Sequence, residues 1–154
     1  RAWKEEKRYF DMEIYKGTAE GYQQLYPSLK EFAPFLFEYG QCLAKTRQHQ
    51  ESIIILSEGA RRSADPMFYN IIGRNEQALD NYEAAEAAFL RAYRTVPHRL
   101  YPLYLLAELY VSTGQYGKAA IIIRKALKQK PKIMSPAIEE MQHKLKKLYE
   151  QIPS

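Results

Sequence analysis

The sequence predicts an all-α protein, a right-handed α-solenoid of antiparallel helix pairs closed by a C-terminal capping helix. Three observations carry that prediction. Apolar residues recur at helical period, as in Leu103, Leu106 and Tyr110 and again in Ala119, Ile123 and Ala126. Glycine and proline fall singly at the edges of these runs, with Gly114 between the two and Pro131 after them, where a helix turns or cannot continue. Finally, the stretch from Arg94 to Pro131 repeats the one before it. Laid over Phe68 to Pro97 at the 34-residue offset that separates Pro97 from Pro131, Gly73 falls on Ala107, Tyr82 on Tyr116, Ala85 on Ala119 and Ala92 on Ala126. A self-match at such a period means stacked units that bury their apolar faces only against one another.

Taken in order, the elements form a single domain over residues 1–154. Residues 1–32 read as a divergent leading helix pair, with Trp3 and Phe10 on its first helix, Gly17 at its turn, and Tyr22, Leu25 and Tyr26 on its second helix, which Pro27 breaks. Residues 33–64 are a degenerate repeat. In it Leu36, Gly40, Ser52, Leu56 and Gly59 align with Tyr69, Gly73, Ala85, Phe89 and Ala92, but Arg47 and His49 stand where the last copy has Gly114 and Tyr116. Residues 65–98 and 99–132 are the two well-formed repeats, although Glu76 occupies the position of Leu43 and Tyr110, so that packing there is altered or the carboxylate reaches solvent. Residues 133–154 supply the cap: Ser135 is placed to N-cap a helix and Pro136 to occupy its first position. The narrow stripe of Ile138, Met141, Leu145 and Leu148 leaves the remaining face to Lys and Glu, as a solubilising end requires.

Within each pair, small residues are expected where the helices cross. Gly40, Gly73 and Ala107 on the first helices face Ser52, Ala85 and Ala119 on the second, and larger side chains there would force the helices apart.

Composition narrows the function classes. With 46% hydrophobic and 27% charged residues the chain is an ordinary globular sequence, and its 13 tyrosines offer many rings that pack on a face and bond at the tip. The formal charge of +5 is spread at helical spacing among Glu residues, which suits a solvated face better than a nucleic-acid patch. No nucleic-acid partner is expected. Cys42 is the single cysteine, excluding an internal disulfide, and reads as a small buried hydrophobe. His49, His98 and His143 have no ligand spacing, so no metal is expected. Asp65 opens a helix and Glu139–Glu140 lie in the first turn of another, where they suit the helix dipole and not catalysis. Glycines never cluster into a phosphate-cradling loop. No catalytic residue and no cofactor is expected. Apolar runs such as Ile53–Leu56 are too short to cross a bilayer. The chain begins with Arg1 and shows no signal peptide, and it reads as a piece of a longer protein.

The repeat resembles the tetratricopeptide repeat, a 34-residue antiparallel helix pair. Stacking of such pairs lines up the first helices along an inner groove, which is expected to show Phe37, Gln41, Asn70, Arg74, Gln77, Tyr104 and Glu108. These mixed aromatic, amide and charged side chains suit an extended or helical peptide. They equally suit ordinary solvated positions in a spacer, and Asn70 with Arg74 is only a partial echo of the Lys and Asn clamp of chaperone-binding members.

Three phrases, "SADPMFYNIIG", "VPHRLYPLYLLAELY" and "SPAIEEM", are similar to the C-terminal repeat region of a subset of bacterial O-antigen ligase or polymerase-like membrane proteins. The resemblance implies a non-enzymatic accessory domain attached through a missing part of its parent to the bacterial inner membrane, facing either side. Its partners would be a protein or peptide, among them envelope-glycan assembly proteins. A regulatory or substrate-orienting role in a glycan-transferring enzyme, and direct glycan binding by the tyrosines, are the alternatives.

Overall fold

The computed structural model describes residues 18–154. Among them the chain forms eight α-helices and no strand: α1 (Ala19–Leu29), α2 (Ala33–Lys45), α3 (His49–Ala60), α4 (Met67–Ala78), α5 (Tyr82–Thr95), α6 (Leu100–Ser112), α7 (Tyr116–Lys128) and α8 (Pro136–Glu150). Helices α2 with α3, α4 with α5, and α6 with α7 form three antiparallel pairs; each pair packs on the next, and α8 covers the last one. The first leading helix expected from Trp3, Phe10 and Gly17 lies outside the described residues.

Helix starts follow local chemistry. Thr18 Oγ1 accepts the Gly21 N–H at 3.0 Å to open α1, and Pro34 sits in the first turn of α2. Asp65 Oδ1 accepts the Met67 N–H at 2.9 Å to open α4, and Ser135 Oγ accepts the Ile138 N–H at 3.3 Å to open α8. One expected boundary is corrected: α1 runs through Pro27 and ends at Leu29. Pro27 lies in the last turn, where the helix ends soon after, so its missing N–H costs a single ladder bond on an exposed face.

The turns inside the pairs are more alike than their sequences. Arg47, Asp80 and Gly114 occupy the same repeat position, and all three are left-handed, with φ of 63°, 62° and 74°. Each turn is closed by one equivalent bond: Gln48 N–H to Leu43 O, Asn81 N–H to Glu76 O and Gln115 N–H to Tyr110 O, all at 2.8 Å. This is the helix-ending motif in which the second residue past the cap reaches back a full turn, normally around a glycine. The first repeat, degenerate in sequence, therefore keeps the backbone of the third. Glu76 reaches the same turn with its side chain, accepting from Asn81 Nδ2 at 3.3 Å.

The crossings are tight where the small residues predict, with one refinement. A Cβ added to Gly40 would fall on the Leu56 side chain, and one added to Gly73 on the ring of Phe89. Those large residues, one turn beyond Ser52 and Ala85, fill the space the glycines leave; Ile123 packs in the same cluster as Ala107 in the third pair. Ser52, Ala85 and Ala119 are fully buried, and Ser52 also bonds the partner helix, its hydroxyl donating to Gly40 O at 2.6 Å. Gly59 makes the corresponding approach between pairs, against the ring of Phe68.

That serine bond starts a polar relay through the core. Asn75 Nδ2 donates to Ser52 Oγ at 2.9 Å, and Asn75 Oδ1 lies 2.8 Å from His49 Nδ1. Because Asn75 Nδ2 is directed at Ser52 and its Oδ1 can only accept, His49 Nδ1 carries the proton and donates to the amide. Helices α2, α3 and α4 are thus joined by three hydrogen bonds, with Ser52 and Asn75 almost fully buried.

Gly73→Ala is expected to lower the unfolding free energy by about 1–3 kcal/mol, as the Phe89 ring is displaced, read from urea midpoints at constant slope. Arg47→Gly is expected to act in the opposite sense, raising it by about 0.5–1 kcal/mol through relief of the left-handed conformation. A lower midpoint for Arg47→Gly would refute that account of the turn.

Candidate functional site

Consecutive first helices touch one another, α2 with α4 and α4 with α6, and α8 continues the series by packing on α6; successive second helices approach less closely. The first helices therefore form the inner layer, and their outward side chains line up in rows. Phe37, Asn70 and Tyr104 share one repeat position, and Gln41, Arg74 and Glu108 the next one turn on.

The structure brings some of the expected residues together and separates others. Arg74 is exposed, and its Nη1 donates to Tyr101 Oη at 3.0 Å. Tyr101 stacks on Tyr104 with ring centroids 6.5 Å apart, and Tyr104 Oη donates to Glu108 Oε2 at 2.9 Å. From the cap, Lys144 Nζ lies 6.0 Å from the Tyr104 ring centroid. Arg74, Tyr104 and Glu108 thus belong to one continuous row across α4, α6 and α8. Phe37 is half-buried, packed edge-to-face on Phe68 at 5.2 Å, and Gln41 and Gln77 are half-buried on α2 and α4.

Asn70 departs from the expected surface position. It is only 1% exposed, its short amide reaching less far than the rings at the equivalent positions to either side. Its Nδ2 contacts Met67 Sδ at 3.3 Å, while its Oδ1 is buried with no hydrogen-bond partner. An orphaned amide oxygen of this kind costs about 1–3 kcal/mol.

Tyr101 and Lys144 were not singled out from the sequence. Tyr101 had a legible signal, since it stands one turn before Tyr104 on the same helix face; Lys144 had none, because its approach depends on how α8 docks.

Electrostatically the row is held by phenols. Burial and the bond to Glu108 push Tyr104 up to about 12. Tyr110, buried on α6, is raised further by burial and by donating to Glu86 Oε2 from the neighbouring pair. Tyr26 donates likewise to Glu58 at 2.6 Å. Burial also raises the Cys42 thiol, leaving it a packed side chain and a poor nucleophile. No group of three or more His, Cys, Asp or Glu side chains that could hold a metal ion occurs among the described residues. No helix among them is long and apolar enough to cross a membrane.

Comparison with known proteins agrees with this architecture. A family model described as Tetratricopeptide repeat matches residues 76–145. No curated protein sequence matches the chain. Among solved structures, MamA aligns with a TM-score of 0.68 at 17% identity, over 94% of this chain and 90% of that one. The Yersinia enterocolitica type III secretion chaperone SycD, solved in complex with a peptide of the translocator YopD, aligns with a TM-score of 0.68 at 14% identity, over 76% and 88%. A T3SS complex from Aeromonas hydrophila gives 0.69 at 16% identity, over 78% and 79%. The fold is that of a right-handed tetratricopeptide solenoid.

The raised phenols give a pH dependence of definite sign. Their folded values lie above the unfolded one, so their contribution to stability is complete below about pH 10 and is lost as pH rises through the folded values. Tyrosine absorbance on alkaline titration is expected to show a late phase that is still un-ionised at about pH 11 and shrinks in Tyr104→Phe and Tyr110→Phe. A single early phase in the folded chain would contradict the hydrogen bonds of Tyr104 to Glu108 and Tyr110 to Glu86.

Proposed function

We propose that this tetratricopeptide solenoid is a non-catalytic interaction module that holds a peptide segment of a partner protein along the face built by α2, α4, α6 and α8. The observation that carries this reading is the row of Arg74, Tyr101, Tyr104 and Glu108, prearranged by its own hydrogen bonds and stack across two pairs. Side chains already fixed in place lose little entropy when a ligand arrives. In the same face Asn70 Oδ1 lacks a donor, which a peptide N–H could supply once the neighbouring rings shift. The fold's occurrence in a chaperone solved with a translocator peptide, and in a CopN-Scc3 complex, supports a protein partner.

Direct glycan binding is the weaker reading, because the hydroxyls of Tyr26, Tyr104 and Tyr110 are already spent on Glu58, Glu108 and Glu86. Placement in an O-antigen ligase-like membrane protein, with envelope-glycan assembly proteins as partners, rests on the three linker phrases alone. None of the matched structures named above is such a protein.

Peptides selected from a displayed library against the intact chain are expected to bind Arg74→Glu and Tyr104→Ala at least about tenfold more weakly, or about 1.4 kcal/mol, by fluorescence anisotropy. Thermal melts of both variants serve as the folding control. Selected peptides that bind folded variants as well as the parent chain, or a selection that enriches none, would remove the groove assignment.

A further inference from the structure

A recess of about 750 Å³ opens at the C-terminal edge of the stack, away from most of the residues of the inner row. It is enclosed by the start of α6, the linker from α7 to α8, and the first turns of α8. Its floor is apolar: Leu100 and Tyr101 from α6, Pro131 from the linker, and Ile138 and Met141 from α8, all partly buried. Ile133 stands at its lip, 80% exposed.

The rim is basic. His98, Arg99, Lys130 and Lys132 line it, all exposed, and no acidic side chain lines it with them. Several cations elsewhere in the chain are engaged. Arg74 bonds Tyr101, Arg91 lies 4.6 Å over the Tyr69 ring, Lys118 pairs with Glu86, and Arg124 bonds Tyr149. The side chains of the four rim residues make no ion pair, hydrogen bond or ring contact among the described residues.

We propose that this recess docks an acidic segment of a partner protein, inserting an apolar side chain against Leu100, Ile138 and Met141 while flanking Asp or Glu residues meet Arg99, Lys130 and Lys132. Complementarity of charge selects an acidic partner. The concave, walled shape selects an inserted side chain over a flat surface, and the volume is that of an ordinary ligand site. Ile133, too exposed to contribute to the core, gains cover from the docked segment. The proposal stands whatever the inner row holds, since only Tyr101 belongs to both places.

The test uses the intact chain and a fluorescein-labelled peptide with Leu-Phe set between runs of Asp and Glu, at roughly physiological ionic strength. Binding is expected to fall at least about tenfold in Lys130→Glu/Lys132→Glu. It should stay within about twofold in Lys45→Glu/Arg61→Glu, which changes the net charge equally but far from the recess. A peptide with Gly-Ser in place of Leu-Phe should lose most of the affinity. Binding that both double variants reduce alike, or that the Gly-Ser peptide retains, would reduce the rim to a general cationic field and overturn the proposal. So would failure of the acidic peptide to bind while phosphatidylserine vesicles sediment the chain through Lys130 and Lys132, which would make the ligand a membrane surface.

Discussion

The close approach of paired helices at residues without a side chain is the constraint on which the rest of this structure depends. Gly40 and Gly73 have no Cβ, so Leu56 and Phe89 can lie directly against the backbone of the opposite helix. Gly59 does the same for Phe68 between the first pair and the second. These contacts set the spacing of helices α2 to α5, on which α6 then packs to bring Tyr101 within reach of Arg74. The inner row is a consequence of packing that happens on the other side of the same helices.

The polar relay shows what replaces a good turn sequence when one is missing. At the first turn the repeat has Arg47 and His49 where the third has Gly114 and Tyr116, and the left-handed backbone at Arg47 is less favourable than it would be at glycine. The histidine bonds Asn75 and, through it, Ser52 and the Gly40 carbonyl, linking three helices where the third repeat relies on apolar contacts. A buried network is worth having only when every member is satisfied, and here each donor in the chain finds an acceptor.

Much of the fold was legible in the sequence because a repeat states its own register: Pro97 and Pro131 mark unit ends, and the apolar stripes of α6 and α7 give the buried faces. What was illegible depended on distance through space. Pro27 reads as a breaker until the helix is seen to end just beyond it. Arg47 looks wrong for a left-handed turn, yet the reach-back bond it shares with the turns at Asp80 and Gly114 holds it there. In the candidate site, register alone placed Arg74, Tyr104 and Glu108, whereas the burial of Asn70 follows from the size of its neighbours and Lys144 arrives from a helix whose docking no local pattern encodes. The recess was invisible for the same reason, since three segments far apart in sequence build it.

Every substantial interface in the stack joins helices that are adjacent or next-but-one along the chain. Among the described residues no distant segment must be recruited before the core can close, so the entropy of closing long loops hardly enters the folding barrier. Such a molecule assembles from any pair outward by accretion, and during synthesis each pair can close once the helix behind it has emerged. The arrangement that builds an inner face residue by residue thus also sets the order in which that face is completed, with the row at Tyr104 finished only when α8 arrives.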